Sequence, residues 1–194
     1  MLKQLIALGF PSLLVAQFSN VHEGFGLDIG SNGSGIFFSR HYTHESGKYS
    51  LSGELRFYDI KASDETIVYD WYYNQYQSVG GKSLLLVPFF LGSNYYPFAG
   101  KIANNFSPFI NIKFGPIFIL DGAENGSFKQ KWYDKVEYYR SWGGFFGIGA
   151  DIINSNNTIL TVRVGYDELP MPQKIDGRNK YSGALVRFGF NWKK

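Results

Sequence analysis

The sequence has no cysteine among its 194 residues, and it is poor in charge. The absence of cysteine excludes disulfide bonds, thiolate zinc sites and a lipid-modified N-terminal cysteine. Charged residues make up 18% of the chain, whereas an ordinary soluble domain carries about a quarter. The formal net charge is only +3, so the composition gives no reason to expect a nucleic-acid partner.

Long apolar runs are also missing after the N-terminal region. No later segment approaches the roughly 20 apolar residues that a membrane-spanning helix requires. Residues 1–16 are predicted to be a signal peptide, because Lys3 precedes the apolar run Leu5–Val15 and a cut is predicted after Ala16. The alternative for this segment is a short buried N-terminal helix. Residues 17–194 are then predicted to form one domain, and any further contact with a membrane would have to be made by strands.

The residues that are abundant are aromatic residues and glycine. Aromatic side chains reach 19%, with 14 Tyr and 18 Phe, and there are 23 Gly. This composition favours strands, turns and closely approaching backbones. Alternating apolar and polar segments separated by turn residues predict eight strands. They are Glu23–Gly30, Gly35–Tyr42, Tyr49–Asp59, Lys82–Tyr96, Phe106–Leu120, Trp142–Ile153, Thr158–Asp167 and Tyr181–Trp192.

The connections between these strands alternate in length. The longer ones are Ile60–Gly81, Asp121–Ser141 and Glu168–Lys180, and the shorter ones are Thr43–Lys48, Pro97–Asn105 and Asn154–Asn157. Only the first connection, Ser31–Ser34, breaks the trend by being short. Short periplasmic turns and longer extracellular loops are typical of outer-membrane barrels. The sequence therefore predicts an all-β fold, a closed antiparallel up-and-down transmembrane β-barrel.

The two faces of the predicted strands differ in a way that indicates which one is inside. In the last strand, Phe188 and Phe190 share one face, while Arg187 and Gly189 share the other. A water-facing surface gains nothing from glycine, whereas the narrow interior of an eight-stranded barrel needs small residues beside a few long ones. We therefore predict that the glycine-bearing polar face lines the lumen and that the aromatic face contacts lipid.

The predicted inner face carries equal numbers of acidic and basic residues. The acids are Asp28, Glu54, Asp151 and Asp167, and the bases are Arg56, Lys113, Arg163 and Arg187. Since unpaired buried charges are costly, these eight are predicted to form an ion network in a largely filled polar lumen. Two features do not fit. Arg40 falls on the apolar face and must snorkel or follow a bulge. Residues 83–91 are apolar on both faces, and Pro88 lacks a ladder donor.

The last strand carries a family resemblance. Val186, Phe188, Phe190 and Trp192 at alternate positions resemble the terminal-strand signal read by the outer-membrane barrel assembly machinery. The chain as a whole resembles small barrels of the OmpA-transmembrane or OmpX type. It departs from the pattern of that family at its end, because the family usually stops at the terminal aromatic residue, whereas Lys193 and Lys194 follow Trp192 here. The resemblance implies a location in the bacterial outer membrane, with its lipid and the assembly machinery as partners. It implies no catalytic residue and no cofactor.

Signals for chemistry are few. His41 and Thr43 loosely resemble the His-x-Ser of lipid A deacylase barrels, in which histidine would be the base and the hydroxyl the nucleophile. Here the hydroxyl belongs to threonine, and the segment lies early in the chain at a predicted periplasmic turn. A polar turn is the simpler interpretation. No fixed acid completes a metal-ligand set with His22, His41 and His44, so no metal site is predicted.

Aromatic residues in the longer connections provide the remaining candidates. Trp71, Tyr72, Trp132 and Tyr133 are candidate contacts for an extracellular ligand, or alternatively belong to an interfacial aromatic girdle. The sequence thus predicts a protein with a structural, adhesive or surface-interaction role, or a narrow pore. The alternatives are a lipid-modifying outer-membrane enzyme and a soluble lipocalin-like binding barrel.

Overall fold

The computed structural model describes residues 18–60, 66–79, 83–102, 105–122, 129, 136–155 and 157–194. The predicted signal peptide lies outside these residues. Twelve strands occur in the described part of the chain. They are β1 (Phe18–Gly30), β2 (Gly33–His44), β3 (Tyr49–Ile60), β4 (Thr66–Asp70), β5 (Gln75–Val79), β6 (Ser83–Tyr95), β7 (Phe106–Gly122), β8 (Glu137–Ser155), β9 (Thr158–Glu168), β10 (Pro170–Ile175), β11 (Arg178–Lys180) and β12 (Gly183–Lys193).

Eight of these strands close into an antiparallel barrel in the order β1-β12-β9-β8-β7-β6-β3-β2. Each barrel strand pairs with the barrel strands next to it in sequence, and β12 pairs with β1 to complete the ring, with Phe25 opposite Phe190. Closure removes the unpaired strand edges that an open sheet would present. The predicted closed antiparallel up-and-down β-barrel of eight strands is confirmed.

The two ends of the barrel differ in their connections. We call the end with the connections 31–32, 61–82, 123–136 and 169–182 the loop end, and the opposite end, which holds the C-terminus, the turn end. Two of the long connections contain hairpins that the sequence analysis left as loops, β4–β5 and β10–β11. In the second hairpin, Asp176 and Gly177 have φ values of 45° and 81°, as a two-residue type I′ turn requires. β8 begins at Glu137, five residues earlier than predicted.

The aromatic-rich face is on the outside of the barrel. Phe25, Leu27 and Ile29 of β1 are about half exposed, whereas Asp28 between them is buried. Glycine provides the space inside, since a Cβ on Gly26 would lie 2.4 Å from the Phe37 ring. A soluble lipocalin-like barrel would need the opposite orientation, with its apolar face buried. No helix in the described part of the chain is long and apolar enough to cross a membrane.

β6 contains the segment 83–91, which is apolar on both faces, and its inward face packs against other apolar side chains in the lumen. Leu84, Leu86 and Phe90 of β6 point inward and are fully buried in a hydrophobic cluster. The pairing of β6 with β3 passes from Leu55–Phe89 to Tyr58–Leu86. The ladder is thus interrupted beside Pro88, which has no N–H to donate.

Candidate functional site

The middle of the lumen is occupied by a network of buried ion pairs. Seven of the eight predicted inward-facing charges take part in it directly. They are Asp28, Glu54, Arg56, Lys113, Arg163, Asp167 and Arg187. All seven are almost completely buried. Because these charges come from several strands around the ring, the network ties opposite walls of the barrel together.

Arg56 uses most of its guanidinium in this network. It donates to both carboxylate oxygens of Asp167, at 2.9 and 2.8 Å, and its Nε donates to Asp28 Oδ2 at 2.8 Å. Such two-pronged arginine–carboxylate contacts are the strongest type of charged hydrogen bond. Aromatic rings cover the remaining surface of the guanidinium, whose carbon lies 5.2 Å from the ring centre of Tyr58 and 5.9 Å from that of Phe90.

Arg187 links Asp28 to Glu54. Its Nε donates to Asp28 Oδ1 at 2.8 Å, and its Nη2 donates to Glu54 Oε1 at 2.6 Å. The other oxygen of Glu54 accepts from Lys113 and lies 3.6 Å from Arg163 Nη1. Glu54 therefore faces three cations, and Arg163 has the weakest share of this carboxylate.

Asp151, the eighth predicted charge, lies apart from the network and towards the turn end. It accepts hydrogen bonds from the Tyr96 hydroxyl at 2.8 Å and from Thr161 at 2.5 Å. A cavity of about 30 Å³ adjoins it, lined also by Arg163 and Asn191. A cavity of this size and polarity has room for water. Asp151, which we predicted to belong to the ion network, thus makes its hydrogen bonds to neutral hydroxyl groups and meets the network only through the charge of Arg163 across this cavity.

His41 and Thr43 line this same cavity. His41 is buried, and its Nε2 lies 3.1 Å from the Ser39 hydroxyl. The hydrogen-bond partner of the histidine is therefore Ser39, and its ring faces the lumen and not the apolar exterior. In the described part of the chain, no group of three or more His, Cys, Asp or Glu side chains could hold a metal ion.

The loop end of the lumen is closed by apolar side chains, a feature that the sequence analysis missed. We call this cluster the apolar cap. Its members are Tyr58, Ile60, Leu84, Leu86, Phe90, Ile117, Ile119, Phe145, Leu169, Met171, Ile175, Tyr181 and Leu185. Four of them lie between β9 and β12, in or beside the β10–β11 hairpin, which therefore covers the barrel mouth. The prediction of a polar lumen is wrong for this end, because a connection predicted to be a loop folds back over the opening.

A second candidate site is the tip of the β4–β5 hairpin. Trp71 and Tyr72 are 88% and 86% exposed, and Tyr73 and Tyr76 are also exposed. The turn is ordered by Asp70, whose Oδ1 accepts from the backbone N–H groups of Tyr72 and Tyr73. The structure thus presents large aromatic rings on a hydrogen-bonded turn. The other two loop candidates, Trp132 and Tyr133, lie outside the described residues.

A closed eight-stranded antiparallel barrel with an apolar exterior and charged residues in its lumen is the architecture of small outer-membrane β-barrels, and this chain has their fold. No protein-family model and no curated protein matches the sequence. Among solved structures, it is similar to Neisserial surface protein A, NspA, with a TM-score of 0.61 and 11% identity over 90% of this chain and 96% of that one.

Two further solved structures share the fold. A major outer membrane protein from Thermus thermophilus has a TM-score of 0.56 and 14% identity, covering 90% of this chain and 99% of that one. Ail, the attachment invasion locus protein of Yersinia pestis, has a TM-score of 0.50 and 8% identity, covering 90% and 97%. At these identities the similarity shows the fold.

Proposed function

We propose that this chain is a bacterial outer-membrane protein that binds glycans at the cell surface through its β4–β5 hairpin. In this proposal the barrel serves as an anchor, with its turn end in the periplasm and its loop end outside the cell. The apolar exterior supports insertion into lipid, because a soluble barrel would leave these half-exposed aliphatic and aromatic side chains in water. The Thermus thermophilus protein and Ail, which share this fold, are described as outer membrane proteins and support the same location.

The observation that carries the surface role is the exposure of Trp71 and Tyr72 on an ordered turn. Aromatic residues in such positions are enriched at binding sites. Asp70, Asn74 and Gln75 provide polar groups beside the rings. Flat apolar faces next to hydrogen-bonding groups match the chemistry of a sugar ring, which has apolar C–H faces and hydroxyl edges. The hairpin therefore fits a carbohydrate better than a purely apolar partner.

The fold is also compatible with surface attachment, since Ail, which shares it, is described as an attachment invasion locus protein. The lipid-modifying alternative gains no support from the geometry, because His41 contacts Ser39 inside the lumen. The exterior position of Phe188, Phe190 and Trp192 on the closing strand supports our proposal that β12 is the segment read by the barrel assembly machinery.

The test is glycan binding by the whole protein folded in nanodiscs. We expect wild-type protein to bind a subset of immobilised glycans, and we expect the double variant Trp71→Ala/Tyr72→Ala to lose at least about ten-fold in affinity, as hot-spot residues do. Tyr138→Ala, at an exposed tyrosine of β8, is the matched control and should bind like wild type. Equal binding by the hairpin variant, or no glycan bound by the wild type, would contradict the proposal.

A further inference from the structure

The outer wall of the barrel has an apolar furrow near the turn end. Two shallow depressions of about 400 and 800 Å³ meet at Gly53 and Arg40. We call them together the Gly53 furrow. The walls of the first include Phe38, Leu55, Phe89 and Trp192, and those of the second include Leu51, Leu91, Ile112 and Phe114. The furrow therefore lies within the apolar exterior that the proposed function assigns to lipid.

Neither backbone conformation nor packing requires glycine at position 53. A Cβ on inward-facing Gly26 or Gly35 would lie 2.1–2.3 Å from a backbone oxygen, so these two must be glycine. A Cβ on Gly53 would meet only Leu91, at an ordinary contact distance of 3.5 Å. Gly53 faces outward between Arg40 of β2 and Leu91 of β6. A side chain there would fit, and its absence leaves the furrow open to an occupant from outside the protein.

Arg40 places a positive charge at the junction of the two depressions. Its side chain is 47% exposed, and its guanidinium carbon lies 5.3 Å from the ring centre of Tyr42. Its ion pair with Glu23 is loose, at 3.6 Å, and the same Glu23 oxygen lies 3.3 Å from Lys194 Nζ. One carboxylate thus serves two cations. This leaves the edge of an apolar furrow with excess positive charge.

We propose that the Gly53 furrow binds an anionic phospholipid, with an acyl chain over Gly53 and the headgroup phosphate against Arg40. The proposal rests on the proposed location in a membrane. It assigns the lipid to the periplasmic leaflet, because Arg40 lies near the turn end. Tyr42, Tyr49 and Tyr95 flank the turn-end side of the furrow, and tyrosines are enriched at the depth of lipid headgroups. A guanidinium at that depth contacts phosphate with good hydrogen-bond geometry.

The proposal can be tested through the fluorescence of Trp192, which lines the first depression. The whole protein, carrying Trp71→Phe, Trp132→Phe and Trp142→Phe so that only Trp192 reports, is folded into phosphatidylcholine vesicles. Brominated phosphatidylglycerol or brominated phosphatidylcholine is then added at equal mole fraction. We expect phosphatidylglycerol to be preferred about five-fold in quenching, which is the size of effect one arginine has near anionic lipid.

Three variants separate the parts of the site. Arg40→Gln should abolish the preference while quenching by both lipids persists. Gly53→Leu should fill the furrow and reduce quenching by both lipids. Glu23→Gln should increase the preference, because it removes the competing carboxylate. Arg140→Gln, which removes an exposed cation near Phe118 at the loop end, is the matched control and should leave the preference unchanged.

The outcomes distinguish this inference from the proposed function. An unchanged preference in Arg40→Gln, or unchanged quenching in Gly53→Leu, would overturn the phospholipid site. Relief of quenching by free inorganic phosphate would also overturn it, since the site would then bind the bare anion and not a lipid. Failure of the wild type to insert into vesicles would instead overturn the proposed membrane location.

Discussion

Arg56 and Arg187 hold the lumen closed because each of them donates to two carboxylates from different strands. Arg56 of β3 contacts Asp28 of β1 and Asp167 of β9, so its side chain crosses the barrel interior. A buried ion network of this kind is not in itself strongly stabilising, because desolvation offsets most of the attraction between the charges. Removing one member is costly, however, since the partners stay buried without a counter-charge.

Asp167→Asn should therefore destabilise the protein strongly. The substitution keeps the shape of the side chain but leaves Arg56 paired with Asp28, a carboxylate that Arg56 shares with Arg187. We expect the free energy of unfolding to fall by about 3–5 kcal/mol, measured by urea unfolding in lipid vesicles. Glu168→Gln is the control, because the neighbouring Glu168 is exposed. Equal unfolding midpoints for the two variants would show that the Arg56–Asp167 contact does not hold the barrel together.

For individual residues, the alternation of polar and apolar positions was enough to predict which charged side chains face the lumen. It was not enough to predict which of them contact each other. Strand alternation puts Asp151 on the same face as the other inward charges. Its partners depend on how far neighbouring strands are staggered around the barrel, which brings Tyr96 from the connection after β6 to its carboxylate. The sequence carries no short-range signal for that stagger. The same reason explains why the contact of Arg187 with the Phe37 ring, at 4.3 Å, was not predicted.

The β10–β11 hairpin is the element that decides how the loop end is built. Leu169, just before β10, and Ile175, the last residue of β10, are buried, and the Tyr181 hydroxyl after β11 donates to the Ile175 carbonyl at 3.0 Å. Asn32, in the short first connection, donates to the carbonyls of Tyr181 and Ser182. The hairpin is thus fixed by apolar contacts below and by hydrogen bonds at its base.

Truncating the apolar side of the hairpin should loosen it. We expect Leu169→Ala/Ile175→Ala to lower the free energy required to open the hairpin by several kcal/mol, since each buried aliphatic truncation costs about 2–5 kcal/mol. Hydrogen exchange should then accelerate at the amides of β10 and β11 while those of β12 stay protected. Lys174→Ala, at an exposed residue of the same strand, should exchange like wild type. Uniform acceleration across the whole barrel would mean that the hairpin does not open as a separate unit.

One of the two missed hairpins had a readable signal. The Asp176-Gly177 pair favours a tight two-residue hairpin turn, but Pro170 and Pro172 argue against a strand at this place, since proline interrupts a ladder. The structure reconciles these signals, because β10 pairs only with the three-residue β11 and so needs few donors. β4–β5 had no such turn signal, and its turn is built by the Asp70 side chain and a positive φ at Asn74.

For the molecule as a whole, the lumen is blocked at two levels that do not depend on each other. The apolar cap closes the loop end, and the ion network closes the middle, where Arg56, Arg187 and Lys113 fill the space between opposite walls. Towards the turn end the lumen retains a small polar cavity. This arrangement could be half anticipated, because the balanced inward charges indicated a filled lumen, whereas the cap depends on where a distant connection folds.

The two blocks predict the electrical behaviour of the protein in planar lipid bilayers. We expect no large, stable conductance from the wild type, because neither an apolar cap nor a network of paired charges leaves a continuous water path. The variant Leu169→Ala/Ile175→Ala should also stay closed, because loosening the apolar cap leaves the ion pairs of the network in place.

An open-lumen porin in the same membrane is the positive control. A stable open level in the wild type would contradict the filled lumen, whereas one in the cap variant alone would show that the cap is the only barrier. The anchoring role proposed for the barrel does not depend on conductance. It depends on the closed barrel wall and on the β4–β5 hairpin that this wall carries.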